Sequence, residues 1–148
     1  MQVNTFGFKN TYGIDLGASI MIYQQNSDLY QKSECYNNAF YCIDRNIETY
    51  RYNRVIIGYV LSTDGVKRVA VRHAWNEING VYVDVTMIAN DEHPLSIISY
   101  TYLPIQVYKH ADYIDAVIAN DNKPWLPKTA KEHYYIRELK KKGFEVLE

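Results

Sequence analysis

Cys35, His73 and Asp84 are three side chains whose types and order along the chain suit nucleophilic attack on an amide or ester carbonyl. A thiolate attacks the carbonyl carbon, an imidazole carries the proton to the leaving amine, and a carboxylate holds the imidazole in its working tautomer. Water or an amine then releases the acyl group from sulfur. The same three residues therefore serve a protease, a deamidase or a transglutaminase, and their types alone do not separate these outcomes.

Such a site needs elements that bring the three together. Asn79-Gly80 lies between two β-rich runs, and these residue types supply the positive φ that a type I′ hairpin turn requires at both central positions. With that pair as the loop, Ile78 faces Val81, Trp75 faces Asp84 and His73 faces Thr86. Alternation puts His73, Trp75 and Glu77 on one face with Tyr82, Asp84 and Thr86. Asp84 is then the diagonal neighbour of His73, about 7–8 Å away at the backbone and within reach of a carboxylate–imidazole hydrogen bond.

A second hairpin is expected from strands at 54–62 and 66–72, with Asp64-Gly65 as its loop. Gly58 then faces Val71, and Ile56, Gly58 and Val60 point the same way as His73. A glycine inside a strand marks a bulge, packing beside a large neighbour, or close approach of a ligand. Gly58 is on those grounds a substrate-side candidate.

The run SECYNNAFYCIDRNIETY, residues 33–50, has helical spacing, with Cys35, Ala39, Cys42, Ile43 and Asn46 on one side and Phe40 and Ile47 beside them. Ser33 as N-cap places Cys35 in the first turn, where free N–H groups and the positive end of the helix stabilise a thiolate. The Cys35 backbone N–H supplies one oxyanion donor. For the second, Gln31 is the nearest upstream side-chain amide, with Gln24, Gln25 and Asn37 in competition. Trp75, on the face of the triad, either shields the imidazole or belongs to the core. Cys42 is expected to be a small buried apolar residue.

The segments ECYNNAF (34–40), GYV (58–60) and RHAWNEINGVYVDVT (72–86) resemble the core of the transglutaminase-like branch of papain-fold cysteine enzymes. The likeness covers about a third of the chain, from Cys35 to Thr86. It implies an α+β fold in which a nucleophile helix packs on an antiparallel β-sheet, with Cys35 as nucleophile, His73 as general base and then acid, and Asp84 orienting the ring. It further implies a protein or peptide substrate, a thioester acyl-enzyme and no cofactor. Val85 stands where many members have proline, the hairpin is shorter than usual, and Ser33-Glu34 replaces a small, glycine-rich approach to the cysteine. A second reading is a catalytically inactive binding or regulatory module on the same fold.

At 148 residues the chain is expected to form one domain, spanning 1–148, that buries roughly two-thirds of its unfolded surface. Its formal net charge is −1 with both signs interspersed, so no electrostatic footprint for nucleic acid is visible. The basic run at Lys140–Lys142 closes an expected helix, where cations complement the dipole. No apolar stretch approaches the length of a membrane span, and no charged leader precedes an apolar one, so a cytoplasmic protein is expected. Two cysteines fit a reducing compartment rather than a disulfide. The abundance of Tyr, Ile, Asn and Lys is what an AT-rich coding sequence produces, as in a low-GC bacterium or its phage. His93, His110 and His133 lack metal-ligand spacing, and a metal on His73, Glu77 and Asp84 lacks the HExxH helix or Cys/His cluster of a zinc site.

Beyond the core, a strand or short helix is expected at 14–23, a loop at 90–94, a strand at 96–108, a helix at 111–119 and a proline-bearing loop at 120–127. A helix at 129–142 has Thr129 and Glu132 as a capping box and Gly143 as its stop, and an edge strand is expected at 144–147.

Overall fold

A computed structural model of the chain describes residues 5–46 and 52–148, and the Asn46 side chain and Ile47 lie outside the described residues. The fold is α+β. Helices α1 (Leu16–Gln25) and α2 (Cys35–Asn46) precede strands β1 (Arg54–Asp64), β2 (Lys67–Ile78) and β3 (Val81–Val83). Short helices α3 (Val85–Ala89) and α4 (Pro94–Ser99) lead to β4 (Thr101–Lys109). Helices α5 (His110–Ala119) and α6 (Ala130–Lys141) and strand β5 (Phe144–Leu147) complete it. The sheet runs β3-β2-β1-β4, antiparallel throughout, and β5 joins β2 in parallel.

The two tight turns set the registers. Asn79 and Gly80 both have positive φ, 52° and 83°, so the I′ geometry forms and Ile78 pairs with Val81 as expected. The other hairpin differs. Asp64 pairs with Lys67, so Gly65 and Val66 form the loop, and of the two only Gly65 (φ 64°) is left-handed. Glycine at the first central position is the requirement of a type II′ turn, which accounts for the choice of Gly65 over Asp64-Gly65. Gly58 consequently pairs with His73, two residues from the expected Val71. A shift of two preserves the face, so Ile56, Gly58 and Val60 still point the way of His73.

Apolar helical faces cover both sides of the sheet. Around Trp75, the residues Ile56, Val60, Tyr82 and Tyr102 pack with Met87 of α3 and Ile97 of α4. On the other side, Val55, Ile57 and Ala74 pack against Cys35, Ala39 and Ile43 of α2 and Tyr113 and Val117 of α5. Leu139 of α6 covers Tyr59, Leu61 and Ala70 further along that side. Cys42 is fully buried between Ile22 of α1 and Ile78.

Several expected boundaries move. Where a strand or short helix is expected at 14–23, helix α1 runs from Leu16 to Gln25, and the expected strand at 96–108 begins as α4 and becomes a strand only at Thr101. Proline at the start of α4 and the His93 ring, which accepts the Leu95 N–H, favour a helix there. Strand β3 ends at Val83, so the expected pairs Trp75–Asp84 and His73–Thr86 do not form, and Thr86 lies in α3. Thr129 caps α6 through Glu132 N–H, but the Glu132 carboxylate turns inward to Arg72 and Tyr59 instead of closing the capping box.

Candidate active site

The site forms at a gap in the edge of β2. Strand β5 pairs with β2 over Arg68–Val71 and β3 over Asn76–Ile78, leaving Arg72–Trp75 without a strand neighbour on that side. Helix α2 lies alongside the gap: Arg72 donates to the Tyr36 hydroxyl at 3.1 Å, and Asn76 Nδ2 donates to the Ala39 carbonyl at 3.1 Å. Between these anchors Cys35 and His73 border one cleft, with the thiol near enough to act on the ring electrostatically. Helix α2 therefore reaches round the strand edge toward a histidine on the opposite face.

Cys35 is the first residue of α2. Glu34, not Ser33, is the residue before the helix, and its carbonyl accepts the Asn38 N–H at 2.8 Å. Ser33 is one step further out with φ 60°, its N–H held by Asn90 Oδ1 at 2.8 Å. Asn38 clamps the approach segment, donating to the Gln31 carbonyl and accepting the Gln31 N–H. The Cys35 N–H is one of the amides at a helix start that lack an intrahelical acceptor.

Asp84 holds the other side of the imidazole. His73 Nε2 and Asp84 Oδ2 are 2.7 Å apart, which leaves Nδ1 as the nitrogen the carboxylate does not engage. Asp84 is the N-cap of α3, and its Oδ1 accepts the N–H groups of Thr86 and Met87. The buried Tyr102 hydroxyl donates to the same Oδ2 at 2.6 Å. With both oxygens engaged, the carboxylate cannot rotate without breaking several bonds at once. Burial by itself pushes the His73 ring down. The charge and hydrogen bond of Asp84, with the thiol, outweigh it and raise the ring to about 10. Burial, then the Asp84 charge, pushes the Tyr102 hydroxyl well above its ordinary value, so it remains a donor.

A cleft of about 430 Å³ opens over the thiol and imidazole, lined by apolar Val60, Val71 and Met87 and by polar Thr86, Asn90 and Glu92. A larger hollow of about 750 Å³, between the segment at 10–16 and β4, touches none of the three residues. Cys35 is 9% exposed and His73 6%, so the thiol and the imidazole sit at the cleft floor.

The remaining sequence candidates scatter. Trp75 is buried and stacks on the imidazole, with ring centroids 6.1 Å apart and planes 20° apart, and it makes an edge contact with Tyr102. Gly58 does not line the cleft. A Cβ there would meet the Leu103 carbonyl oxygen at 2.1 Å, at a bulge between β1 and β4, and the Trp75 ring at 2.9 Å. It permits Trp75 to lie flat beneath the histidine. Gln31 and Asn37 line a separate small hollow, and exposed Gln24 and Gln25 end α1, so none of the four borders the cleft.

Two contributors had no signal in the sequence. Tyr102, a tyrosine in a tyrosine-rich chain, lies on β4, two strands from His73. Arg72 ion-pairs with Glu132, Nε at 2.7 Å and Nη2 at 2.9 Å, and also donates to the Leu126 carbonyl. The Arg72 guanidinium lies over the rings of Tyr36 and Trp125, fixing the residues next to the thiol and the imidazole.

Neither cysteine is in a disulfide. Among the described residues no group of three or more His, Cys, Asp or Glu is placed to hold a metal ion, and no helix is long and apolar enough to cross a membrane. His93 and His133 are exposed, and His110 opens α5. No family model matches the chain, and no curated protein or solved structure matches it.

Proposed function

We propose that this chain is a cysteine-dependent amide hydrolase or acyltransferase of the transglutaminase-like, papain-fold kind, acting on protein or peptide substrates through a thioester acyl-enzyme. One observation carries the reading: a thiol at a helix start shares a cleft with an imidazole whose Nε2 is held at 2.7 Å by a fixed carboxylate. A raised histidine favours the imidazolium, which protonates the departing amine. The apolar walls and polar rim of the cleft suit a peptide. Two thiols without a disulfide suit a reducing, cytoplasmic setting.

Alkylation by iodoacetamide near neutral pH tests this. Cys35 should label much faster than fully buried Cys42, and His73→Ala should slow Cys35 alone. Slow, equal labelling of both thiols would remove the catalytic reading. It would leave the alternative, an inactive binding or regulatory module on the same fold, which the burial of Cys35 and His73 favours. Release of ammonia or amine from peptide mixtures, measured against Cys35→Ala, then reports acylation, and incorporation of an added labelled amine separates amine transfer from hydrolysis.

A further inference from the structure

We propose that Asn90 is the second oxyanion donor, acting with the Cys35 backbone N–H on the carbonyl oxygen of the substrate. The assignment rests on the thiol–imidazole reading of the cleft. Asn90 borders the cleft together with Cys35 and His73, and it is the residue that ends α3. One five-residue helix thus carries the carboxylate that orients the histidine at its start and this amide at its end.

The orientation of the amide is fixed by its neighbour. Asn90 Oδ1 accepts the Ser33 N–H at 2.8 Å, which requires the oxygen to face the segment leading into Cys35 and leaves Nδ2 as the outward half. Nδ2 has no acceptor among the described residues. Competing donors at the cleft are committed: Arg72 to Glu132, Leu126 and Tyr36, and Tyr100 to Glu92 at 2.5 Å. The hydroxyls of Ser33 and Ser62 also border the cleft but turn about a single bond, and Thr86 Oγ1 is held by Asn38 Nδ2 at 2.9 Å, whereas an anchored planar amide is a donor already aimed.

The chemistry needs such a donor at one step. As the thiolate forms the carbon–sulfur bond, the carbonyl π pair moves onto oxygen, where the Cys35 N–H and Asn90 Nδ2–H share the charge. The pair then returns to carbon, the bond to the leaving group breaks, and that group takes the imidazolium proton. Alkylation by iodoacetamide uses the same thiolate but displaces iodide from a saturated carbon, so no oxyanion forms.

That contrast supplies the test. Asn90→Asp keeps an acceptor for Ser33 and loses the donor. Its p-nitrophenolate burst from p-nitrophenyl acetate should slow by about 10²-fold or more, the cost of one oxyanion donor, while iodoacetamide labelling of Cys35 changes little. Asn90→Ala, which adds no charge, must slow the burst as well. An unchanged burst in either variant, or parallel loss of burst and labelling in Asn90→Asp, overturns the assignment. A wild-type burst no greater than that of Cys35→Ala would instead sink the thiol–imidazole reading, and the donor with it.

Discussion

Arg72 and His73 are neighbours on β2 that point to opposite faces of the sheet, and each is buried against a buried carboxylate. Both touch the first turn of α2, Arg72 at Tyr36 and His73 at Cys35. Arg72 is closed: its guanidinium is held by Glu132, Leu126, Tyr36 and two aromatic faces. His73 has one nitrogen tied to Asp84, and its ring borders an open cleft together with the Cys35 thiol. Buried charge therefore does not by itself mark a site. The distinguishing feature is a ring left partly to a cleft and a thiol, where Arg72 has only structural partners.

Breaking the closed pair should have the largest effect on stability. Glu132→Gln leaves the guanidinium buried without its counter-charge, a loss expected to be about 3–5 kcal/mol in urea unfolding. The double change Arg72→Met/Glu132→Leu should recover most of it, because the desolvation cost disappears with the charges. A loss under about 1 kcal/mol from the single change, the range of an exposed pair, would erase the contrast with His73.

The strand beneath both residues gives a smaller effect. Gly58 pairs with His73 and Tyr59 with Arg72. An added methyl at Gly58 meets a backbone carbonyl rather than a flexible side chain, so Gly58→Ala should cost about 1–3 kcal/mol, as overpacking does. Thermal unfolding measures it, and an unchanged midpoint would show that the bulge yields.

The third test exploits titration and is smallest near neutrality. The His73 ring is raised in the folded chain from its ordinary 6.5 to about 10. A raised group binds its proton more tightly when folded, so its contribution is fully present below pH 6.5 and declines as pH rises toward about 10. Arg72 is also raised, by Glu132 and Tyr36 against the effect of burial, and keeps its proton across that window. The loss of stability between these limits should therefore shrink in His73→Gln and persist in the Arg72→Met/Glu132→Leu chain. Equal slopes in wild type and His73→Gln would mean that the imidazole is not held as a cation.

Local chemistry made much of this legible in the sequence. Asn79-Gly80 fixed the β2–β3 register, Thr129 and Gly143 bounded α6, and helical spacing placed Cys35 at a helix start. Asp84 was reached by partly mistaken geometry: the turn aims it correctly, but it caps a helix where a continued strand was expected. The β1–β2 register differs by two because the glycine selects its own place in the turn. Tyr102, Asn90 and the Arg72–Glu132 pair were invisible because tertiary packing alone brings them together. Glu132 is 60 residues from Arg72, and Asn90 is 57 from Ser33.

That separation also bears on the order of assembly. Cys35, His73 and Asp84 all precede α6, yet the residue adjoining the histidine and the one adjoining the cysteine are clamped through Glu132 on that helix. Contacts this distant in sequence form slowly, since a long loop must close before they repay its entropy. A growing chain that has reached only α5 carries the three reactive side chains without the carboxylate that sets their surroundings. The surroundings of the thiol and imidazole are therefore expected to be completed last, when α6 and β5, in the final fifth of the polypeptide, dock.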